Sequence, residues 1–369
     1  MKRLLIVLVS LALMFCLAGC EDTAPLKEKL IVEGIAVDYA NQLFEVTLQV
    51  YASASNQTAQ GQYQLFSAKG STLYQALRLV DENIGKYSYY SDTKVIVFSV
   101  ASLKRGLWNN LEYFVRSSEM GSNVALAAAY GRAADLLKIE GEGVNMPSRV
   151  LSNALHYGKS DVGPISGELM TVSAMMVNPW AEVSLPVLAV HQKQGKMYPY
   201  LNGILCFAQE QPSYQLSEQE KWVYNWMHEY YDDRAYVLPF DGHPYALQMR
   251  ESKRKITVSI ANGSPIFTVQ LTLTCDIMET NSPHGVLLTR LDELKQQLQE
   301  TVNEMTVSTL QRVVNQQGCD VFDLGRTLQK QQYAYALQAG NMQKALKNSR
   351  FICQSRVIIA RAGQGSVDE

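Results

Sequence analysis

Residues 255–275, KITVSIANGSPIFTVQLTLTC, decide the fold of the second half of the chain. Apolar and polar residues alternate on both sides of Asn262–Gly263, and a period of two is the pattern of a strand that buries one face. An Asn-Gly pair favours the positive φ angles of a two-residue hairpin turn. The stretch therefore predicts an antiparallel hairpin. Its inward-facing residues are Ile256, Val258 and Ile260 on the first strand and Val269, Leu271, Leu273 and Cys275 on the second.

A long helical pattern follows this hairpin. Apolar residues recur at spacings of three and four from Leu287 to Val313, and the pattern ends near Gly318. The heptad spacing of a coiled coil slips after Met305, so we predict a long core helix instead. A second helix over Leu324–Ala339 and a last strand over Val357–Ala360 complete an α+β region, with its helices against one face of a sheet.

Strand and helix patterns also alternate through the first half of the chain. Lys29–Asp38 and Leu43–Tyr51 predict paired strands around a short turn, with every second residue of the second strand apolar. Ser71–Ile84 has the spacing of an amphipathic helix, with Ser71 as the N-cap and Gly85 as the stop signal. Mixed or antiparallel sheets with helices packed on them are therefore expected throughout.

The pattern changes near residue 190. Ala181–Val190 contains Pro186, which has no N–H to donate, so we predict an edge strand or a linker there. Ser217 and Glu220 then stand at the spacing of a capping box at the start of a helix. We expect three α+β domains: an N-terminal domain over 29–190, a small middle domain over 191–245 and a C-terminal domain over 246–369.

The N-terminal residues 1–19 have the form of a signal peptide. Lys2 and Arg3 precede an apolar run from Leu4 to Ala18, which is shorter than the ~20 residues that cross a bilayer. The next motif, a match to a bacterial lipobox, consists of Leu17, Ala18, Gly19 and Cys20. In such a motif the leader is cleaved before the cysteine, so Cys20 would carry lipid and become the first residue of the mature protein. Residues 20–28 would form a lipidated spacer, and acyl chains of this kind hold a protein on a membrane.

Charge and cysteine usage exclude several classes of protein. Removal of the leader, which contributes Lys2 and Arg3 and no acid, takes the formal charge from −2 to −4, which predicts no nucleic-acid partner. Apart from Cys16 in the leader and the lipid-bearing Cys20, four cysteines remain; they lie far apart without a C-x-x-C pair, and each sits in an apolar or helical stretch. We interpret them as small buried apolar residues, with a disulfide left open. They are Cys206, Cys275, Cys319 and Cys353.

No catalytic motif stands out. The five histidines are scattered, and the sequence has neither a nucleophile elbow nor a phosphate-binding loop. Two acid pairs, Asp232–Asp233 and Asp320–Asp323, are weighed as general acid and base, but solvated positions or helix N-termini are the simpler interpretation. The aromatic residues Tyr87, Tyr89, Tyr90, Trp222 and Trp226 are weighed as a ligand platform against the simpler role of core or interface packing. No catalytic, cofactor-binding or metal residue is predicted.

An ordered set of motifs resembles the Ger(x)C family, the lipoprotein subunits of nutrient germinant receptors in spore-forming bacteria. The motifs are GCED at 19–22, LIVEGIAVDYANQLFEVTLQVY at 30–51, the stretch 67–137 that begins SAKGSTLYQALRLVDENIGKYSYYSD, SLPVLAV at 184–190, LNGILCF at 201–207, LSEQEKW at 216–222 and RVIIARAG at 356–363. No single motif is diagnostic, but their order is.

The resemblance implies a three-domain α+β lipoprotein on the outer surface of the spore inner membrane, with palmitate or a related acyl chain on Cys20 and no other cofactor. It would act without catalysis beside two polytopic membrane subunits in spore germination. A solute-binding lipoprotein of a transporter is the alternative, and it predicts two similar βαβ lobes around a cleft. A cell-envelope hydrolase would need a nucleophile or metal set that the sequence lacks.

Overall fold

The computed structural model describes residues 29–51, 63–139, 145–157, 167–193, 195–230, 234–281 and 288–362. The first part of the chain forms strands β1 (Lys29–Ala40), β2 (Leu43–Tyr51), β3 (Tyr63–Gly70), β4 (Tyr87–Tyr89), β5 (Val95–Ser99), β6 (Ala125–Ala129), β7 (Ser184–Lys193), β8 (Lys196–Ala208) and β9 (Gln211–Gln215). The helices between them are α1 (Leu73–Ile84), α2 (Val100–Leu103), α3 (Leu107–Arg116), α4 (Ala133–Leu136), α5 (Pro147–Tyr157) and α6 (Leu169–Met176).

The second part begins with helix α7 (Glu218–Met227) and contains strands β10 (Ala235–Phe240), β11 (His243–Ala261), β12 (Ser264–Thr280) and β13 (Arg350–Ala362). Between β12 and β13 lie helices α8 (Leu291–Leu310), α9 (Leu324–Gln331), α10 (Tyr333–Ala339) and α11 (Met342–Leu346). A single 3₁₀ turn (Leu288–Arg290) precedes α8, and a π-helical stretch (Gln311–Gln316) continues it.

Within the described ranges, nine strands form one mixed sheet in the order β3-β2-β1-β5-β6-β7-β8-β9, and β4 also pairs with β1. The parallel pairs lie at the centre, and antiparallel hairpins lie at both ends. Asn41 and Gln42 adopt φ angles of 52° and 62° in the β1–β2 turn, as a two-residue hairpin requires. The predicted first hairpin is therefore confirmed.

The helix predicted over 71–84 is present, but its N-cap is Thr72 and not Ser71. The Thr72 hydroxyl accepts a hydrogen bond from the Gln75 amide at 3.1 Å, while the Ser71 amide and hydroxyl donate to the Gln75 side chain. Gly85 ends the helix at φ 68°, as predicted. Serine and threonine are both favoured N-cap residues, so residue type alone does not identify Thr72 as the cap.

The strand that contains Pro186 lies inside the sheet, so its prediction as an edge strand or linker was wrong. β7 pairs with β6 only at Ala128–Val187 and Ala129–Leu188, and with β8 along its whole length. Beside Pro186 the neighbour is Gly167 and not β6, because the Leu126 amide donates to the Gly167 carbonyl. On this side of Pro186 the described residues include no paired strand, so the N–H that proline lacks has no strand acceptor to bind. The first sheet also continues through β8 and β9, past the boundary expected at residue 190.

The second sheet has the order β10-β11-β12-β13, with β13 parallel to β12. The hairpin predicted from residues 255–275 is confirmed, with Asn262 and Gly263 at φ angles of 51° and 72° and both strands longer than the motif. The helix predicted over 324–339 is broken at Gln332 into α9 and α10, and the last strand begins at Arg350 and not at Val357.

Two apolar clusters hold these layers together. On one face of the first sheet, α1, α3 and α6 bury residues such as Leu77, Phe114 and Val172 against the strands. On the other face, a second cluster begins under α4 and α5 and continues without a break into the second sheet. The two sheets differ in strand number and order, so in the described part of the chain they do not form the two similar lobes of a solute-binding protein.

Candidate functional site

The hairpin β1–β2, which carries much of the family resemblance, buries three polar side chains that bind helices. Asp38 accepts hydrogen bonds from the backbone amides of Ala133 and Ala134 at 2.8 and 3.0 Å, and these are the first two residues of α4. Helix N-termini leave amides without partners, so a carboxylate there satisfies them. Asp38 therefore serves the fold.

Gln49 fixes the start of α5 in the same way. Its side chain is fully buried, accepts from the Ser148 amide at 2.8 Å and donates to the Leu137 carbonyl at 2.8 Å. Gly34 lies directly opposite, and a Cβ there would come within 2.7 Å of the Ser148 Cβ. The close approach of α5 to β1 thus requires glycine at this position.

Glu33 completes this set of contacts. Its buried carboxylate accepts two hydrogen bonds from the Arg149 guanidinium, at 2.6 Å to Nε and 2.5 Å to a terminal nitrogen. A two-point contact of this kind is the strongest ion-pair geometry available to arginine. The polar residues of the motif thus join α4 and α5 to the sheet.

A second buried acid, Glu220, belongs to the capping box predicted at the start of α7. Its carboxylate accepts from the Ser217 amide at 2.8 Å while the Ser217 hydroxyl accepts from the Glu220 amide, so the capping box is confirmed. The same carboxylate accepts from the Tyr214 hydroxyl at 2.9 Å and lies 3.4 Å from an Arg312 nitrogen. Glu220 therefore links β9, α7 and the π-helical stretch after α8.

Glu182 lies where the two sheets meet. The Asp320 backbone amide and the Gln343 side chain donate to its carboxylate, and burial raises its pKa to about 8. A cavity of about 210 Å³ opens beside it, lined by polar amides and by apolar residues of α6, β8 and α11. Sequence patterns missed Glu182, although an acid between apolar Ala181 and Val183 is an available signal.

The acid pair Asp320–Asp323 has a structural role. Asp320 is buried, which raises its pKa to about 6, and it accepts from the amides of Phe322, Leu324 and Gly325 around the start of α9. Burial acts to raise the pKa of Asp323, but Arg326 and Arg254 outweigh it and hold the pKa below its ordinary value. The pair Asp232–Asp233 lies outside the described residues.

The four cysteines among the described residues are free thiols, and three of them are buried. Burial raises the pKa of Cys275 and Cys319 to about 12 and that of Cys353 to about 11, so these sulfurs stay protonated at neutral pH. Burial also lowers the pKa of His228 to about 4, where its ring contacts the Tyr224 carbonyl at 2.8 Å. Among the described residues, no three His, Cys, Asp or Glu side chains are grouped to hold a metal ion.

The aromatic residues singled out from the sequence fall into two places. Trp222 and Trp226 pack against Tyr236, with ring centroids 5.3 and 6.0 Å from it, beside the second sheet. Tyr87 and Tyr90 instead line a groove between α1 and α3. The five residues therefore do not form one ligand platform.

We call this second place the tyrosine groove and define it by Tyr74, Tyr87, Tyr90 and Tyr113. Its larger part has a volume of about 680 Å³, and it continues along α1 and α3 into a part of about 440 Å³, with Tyr74 and Tyr113 lining both. The rings of Tyr74 and Tyr113 lie 5.7 Å apart. The sequence indicated Tyr87 and Tyr90 but missed Tyr74 and Tyr113, which lie outside the apolar stripes of their helices.

Charged residues of both signs surround the tyrosine groove. Asp81 lies at its base, where burial raises its pKa while the Ser88 hydroxyl, 2.5 Å away, acts to lower it. Arg78 contacts the Asp81 carboxylate at 3.1 Å, and Arg116 contacts Glu112 at 3.0 Å on the rim. The groove thus offers aromatic faces, hydroxyl groups and paired charges, which suit binding.

The predicted anchor residues Leu17, Ala18, Gly19 and Cys20 lie outside the described residues. The described chain begins at Lys29, which lines the tyrosine groove and places its ammonium 5.2 Å from the centre of the Tyr89 ring. None of the described helices combines the length and the apolar character needed to span a bilayer.

The fold and these contacts define an α+β protein with two mixed sheets, whose buried polar residues hold helices in place. Comparison with known families gives two matches: the model described as "Spore germination protein N-terminal domain" over residues 22–190, and that described as "Spore germination B3/ GerAC like, C-terminal" over residues 202–363. The chain therefore belongs to the Ger(x)C family of spore germination proteins, and it is a spore germination receptor component.

Two individual proteins agree with this assignment. Spore germination protein B3 of Bacillus subtilis strain 168 is 22% identical over 281 residues, which cover 74% of this chain and 74% of the relative. The crystal structure of the GerBC protein superimposes with a TM-score of 0.58 at 18% identity and covers 88% of this chain and 96% of that one. The second match shows a common fold, and the Ger(x)C-like α+β fold expected from the sequence is confirmed.

Proposed function

We propose that this chain is the lipid-anchored, non-catalytic subunit of a nutrient germinant receptor, held by Cys20 on the extracytoplasmic face of the membrane and, in spores, on the outer surface of the inner membrane. One observation carries the proposal. The N-terminal family match begins at residue 22, two positions after the Cys20 that ends the lipobox. The proposed leader thus lies entirely outside the sequence that matches the family.

The absence of catalysis in this proposal is supported by the roles of the buried acids. Asp38 and Asp320 accept hydrogen bonds from helix amides, Glu33 binds Arg149, and Glu220 closes a capping box. These carboxylates are buried and their hydrogen bonds hold helices and a capping box, which supports a role in the fold for each of them. Two polytopic membrane subunits complete the proposed receptor, and this chain would bring its folded domains to them.

The anchor is tested by Cys20→Ala in spore-forming cells. We expect the variant to lose acyl label from an alkyne palmitate analogue, to leave the membrane fraction after a salt wash and to weaken nutrient-triggered germination, because no acyl chain remains to hold it. Cys16→Ala is the matched control, since it removes the other leader thiol and should keep both label and membrane retention. Retention of Cys20→Ala on washed membranes would show that the anchor is elsewhere.

A further inference from the structure

We propose that the tyrosine groove is the docking surface for an extracytoplasmic segment of a membrane-bound subunit of the same receptor, a segment that presents an arginine or aromatic side chain. The inference rests on the proposed function, because it takes the chain to be anchored beside that subunit. Three features of the groove support it: the exposed aromatic rings, the charges of both signs and the short distance from Cys20.

Two aromatic rings of the tyrosine groove are exposed to solvent. Tyr74 and Tyr87 are 57% and 59% exposed, although each lies at the side of a concave surface. Tyrosine is enriched where proteins bind one another, since its ring buries much apolar area and its hydroxyl still forms a hydrogen bond. Exposed ring faces also attract arginine side chains. A polypeptide segment that inserts such a side chain would cover both rings.

Side chains of both positive and negative charge line the tyrosine groove. Arg78, Arg116 and Lys29 lie in the same lining as the acids Asp81 and Glu119. A protein segment can match charges of both signs, whereas an anionic bilayer surface matches only the cations. The mixed lining therefore favours a protein over the membrane itself as the occupant.

The tyrosine groove lies close to the proposed lipid attachment point. Lys29 lines the groove and lies nine positions after Cys20 in the chain. A fully extended chain spans at most about 3.3–3.6 Å per residue, so the groove lies within roughly 30 Å of the lipid attachment point. An extracytoplasmic loop of a membrane subunit reaches this distance easily. A partner far from the membrane would not meet the groove.

Photocrosslinking in spore-forming cells tests this surface on the full lipidated chain. p-Benzoylphenylalanine is placed at position 74 or 87, and at position 333 as the control, because Tyr333 is similarly exposed on α10 near the second sheet. We expect ultraviolet adducts with an epitope-tagged receptor membrane subunit from positions 74 and 87, at least about fivefold above position 333. Adducts with lipid alone, or equal yields at all three positions, would overturn the docking surface.

A second measurement separates this inference from the proposed function. The doubly substituted Tyr74→Ala, Tyr87→Ala chain should recover about tenfold less of the tagged subunit from detergent extracts than wild type, whereas Tyr333→Ala should match wild type. Equal thermal unfolding midpoints would show that the variants are folded. If wild type recovers the subunit and the double variant does so equally, the groove is not the docking surface. If wild type itself recovers none, the receptor assignment fails.

Discussion

At the scale of single residues, the buried polar side chains do the work of joining elements that are distant in sequence. Asp38 in β1 and Gln49 in β2 accept hydrogen bonds from backbone amides at the starts of α4 and α5, which lie 95 and 99 residues further along the chain. Removal of the hydrogen-bond partners of either side chain should destabilise the fold, because a buried polar group without a hydrogen bond lowers the free energy of unfolding by about 1–3 kcal/mol.

Glu182 gives a prediction about pH. Its folded-state pKa of about 8 exceeds the ordinary value of 4.5, so between these values the folded chain binds a proton that the unfolded chain has released. The free energy of unfolding therefore falls as pH rises through this window, and the loss is complete once pH passes the folded pKa. We expect wild type to lose about 1–2 kcal/mol between about pH 6.5 and pH 8 relative to Glu182→Gln, measured by urea denaturation.

The control for this titration is Glu210→Gln, since Glu210 lines the same cavity but is exposed. It should keep the wild-type pH dependence. Work above about pH 6.5 also keeps the titration of Asp320, whose pKa is about 6, outside most of the range. Parallel curves for wild type and Glu182→Gln would contradict the prediction.

At the scale of elements, the second sheet protects its edges with amide side chains. On the β13 edge, Gln299 and Asn303 of α8 accept hydrogen bonds from the amides of Val357 and Ser355 at 3.0 and 2.8 Å. On β11, beyond its pairing with β10, the Gln331 side chain accepts from the Val258 amide and donates to the Ile256 carbonyl. An unprotected edge is a template for pairing with another chain, and these contacts occupy it.

Removal of this protection should destabilise the protein. Gln299→Ala with Asn303→Ala leaves two edge amides without their partners, so we expect a loss of about 1–3 kcal/mol and more aggregation on heating. Thermal unfolding and light scattering measure both effects. Gln296→Ala, an exposed position on the same helix, is the control. Identical behaviour of the double variant and this control would show that the amides contribute nothing.

Sequence patterns predicted those elements whose signals are local. The turns at Asn41–Gln42 and Asn262–Gly263 and the capping box of α7 depend on a few adjacent residues, and each is present. The place of Pro186 could not be predicted, because it depends on Gly167 taking the position of a strand. The tyrosine groove was only half predicted for the same reason, since it forms where two helices meet.

At the scale of the whole molecule, the core runs through both sheets. One cluster contains Val97 of β5, Ile204 of β8, Trp226 of α7 and Leu271 of β12, so the layers bury one another. β7, β8 and β9 belong to the first sheet, while the far face of β8 packs toward the second. The two sheets therefore share one apolar cluster.

This continuity predicts cooperative unfolding. Soluble residues 21–369 should fold without partner subunits and unfold in a single transition, because loss of either sheet exposes the core of the other. Far-UV circular dichroism and tryptophan fluorescence in urea should report the same midpoint, since Trp108 lies in α3 and Trp226 in α7. Two separated transitions would contradict a shared core. An aggregated product would mean that partner subunits supply part of it.

The position of Lys29 in the tyrosine groove has a consequence for binding strength. If Cys20 is acylated as proposed, the spacer would confine the groove to a thin layer beside the bilayer, and the proposed membrane-bound partners would occupy that same layer. Confinement raises the effective concentration of the two surfaces for each other, as it does for modules joined by a short linker. A contact too weak to detect between separate soluble proteins would then be largely occupied on the membrane, and dissociation could remain fast enough to respond to a signal.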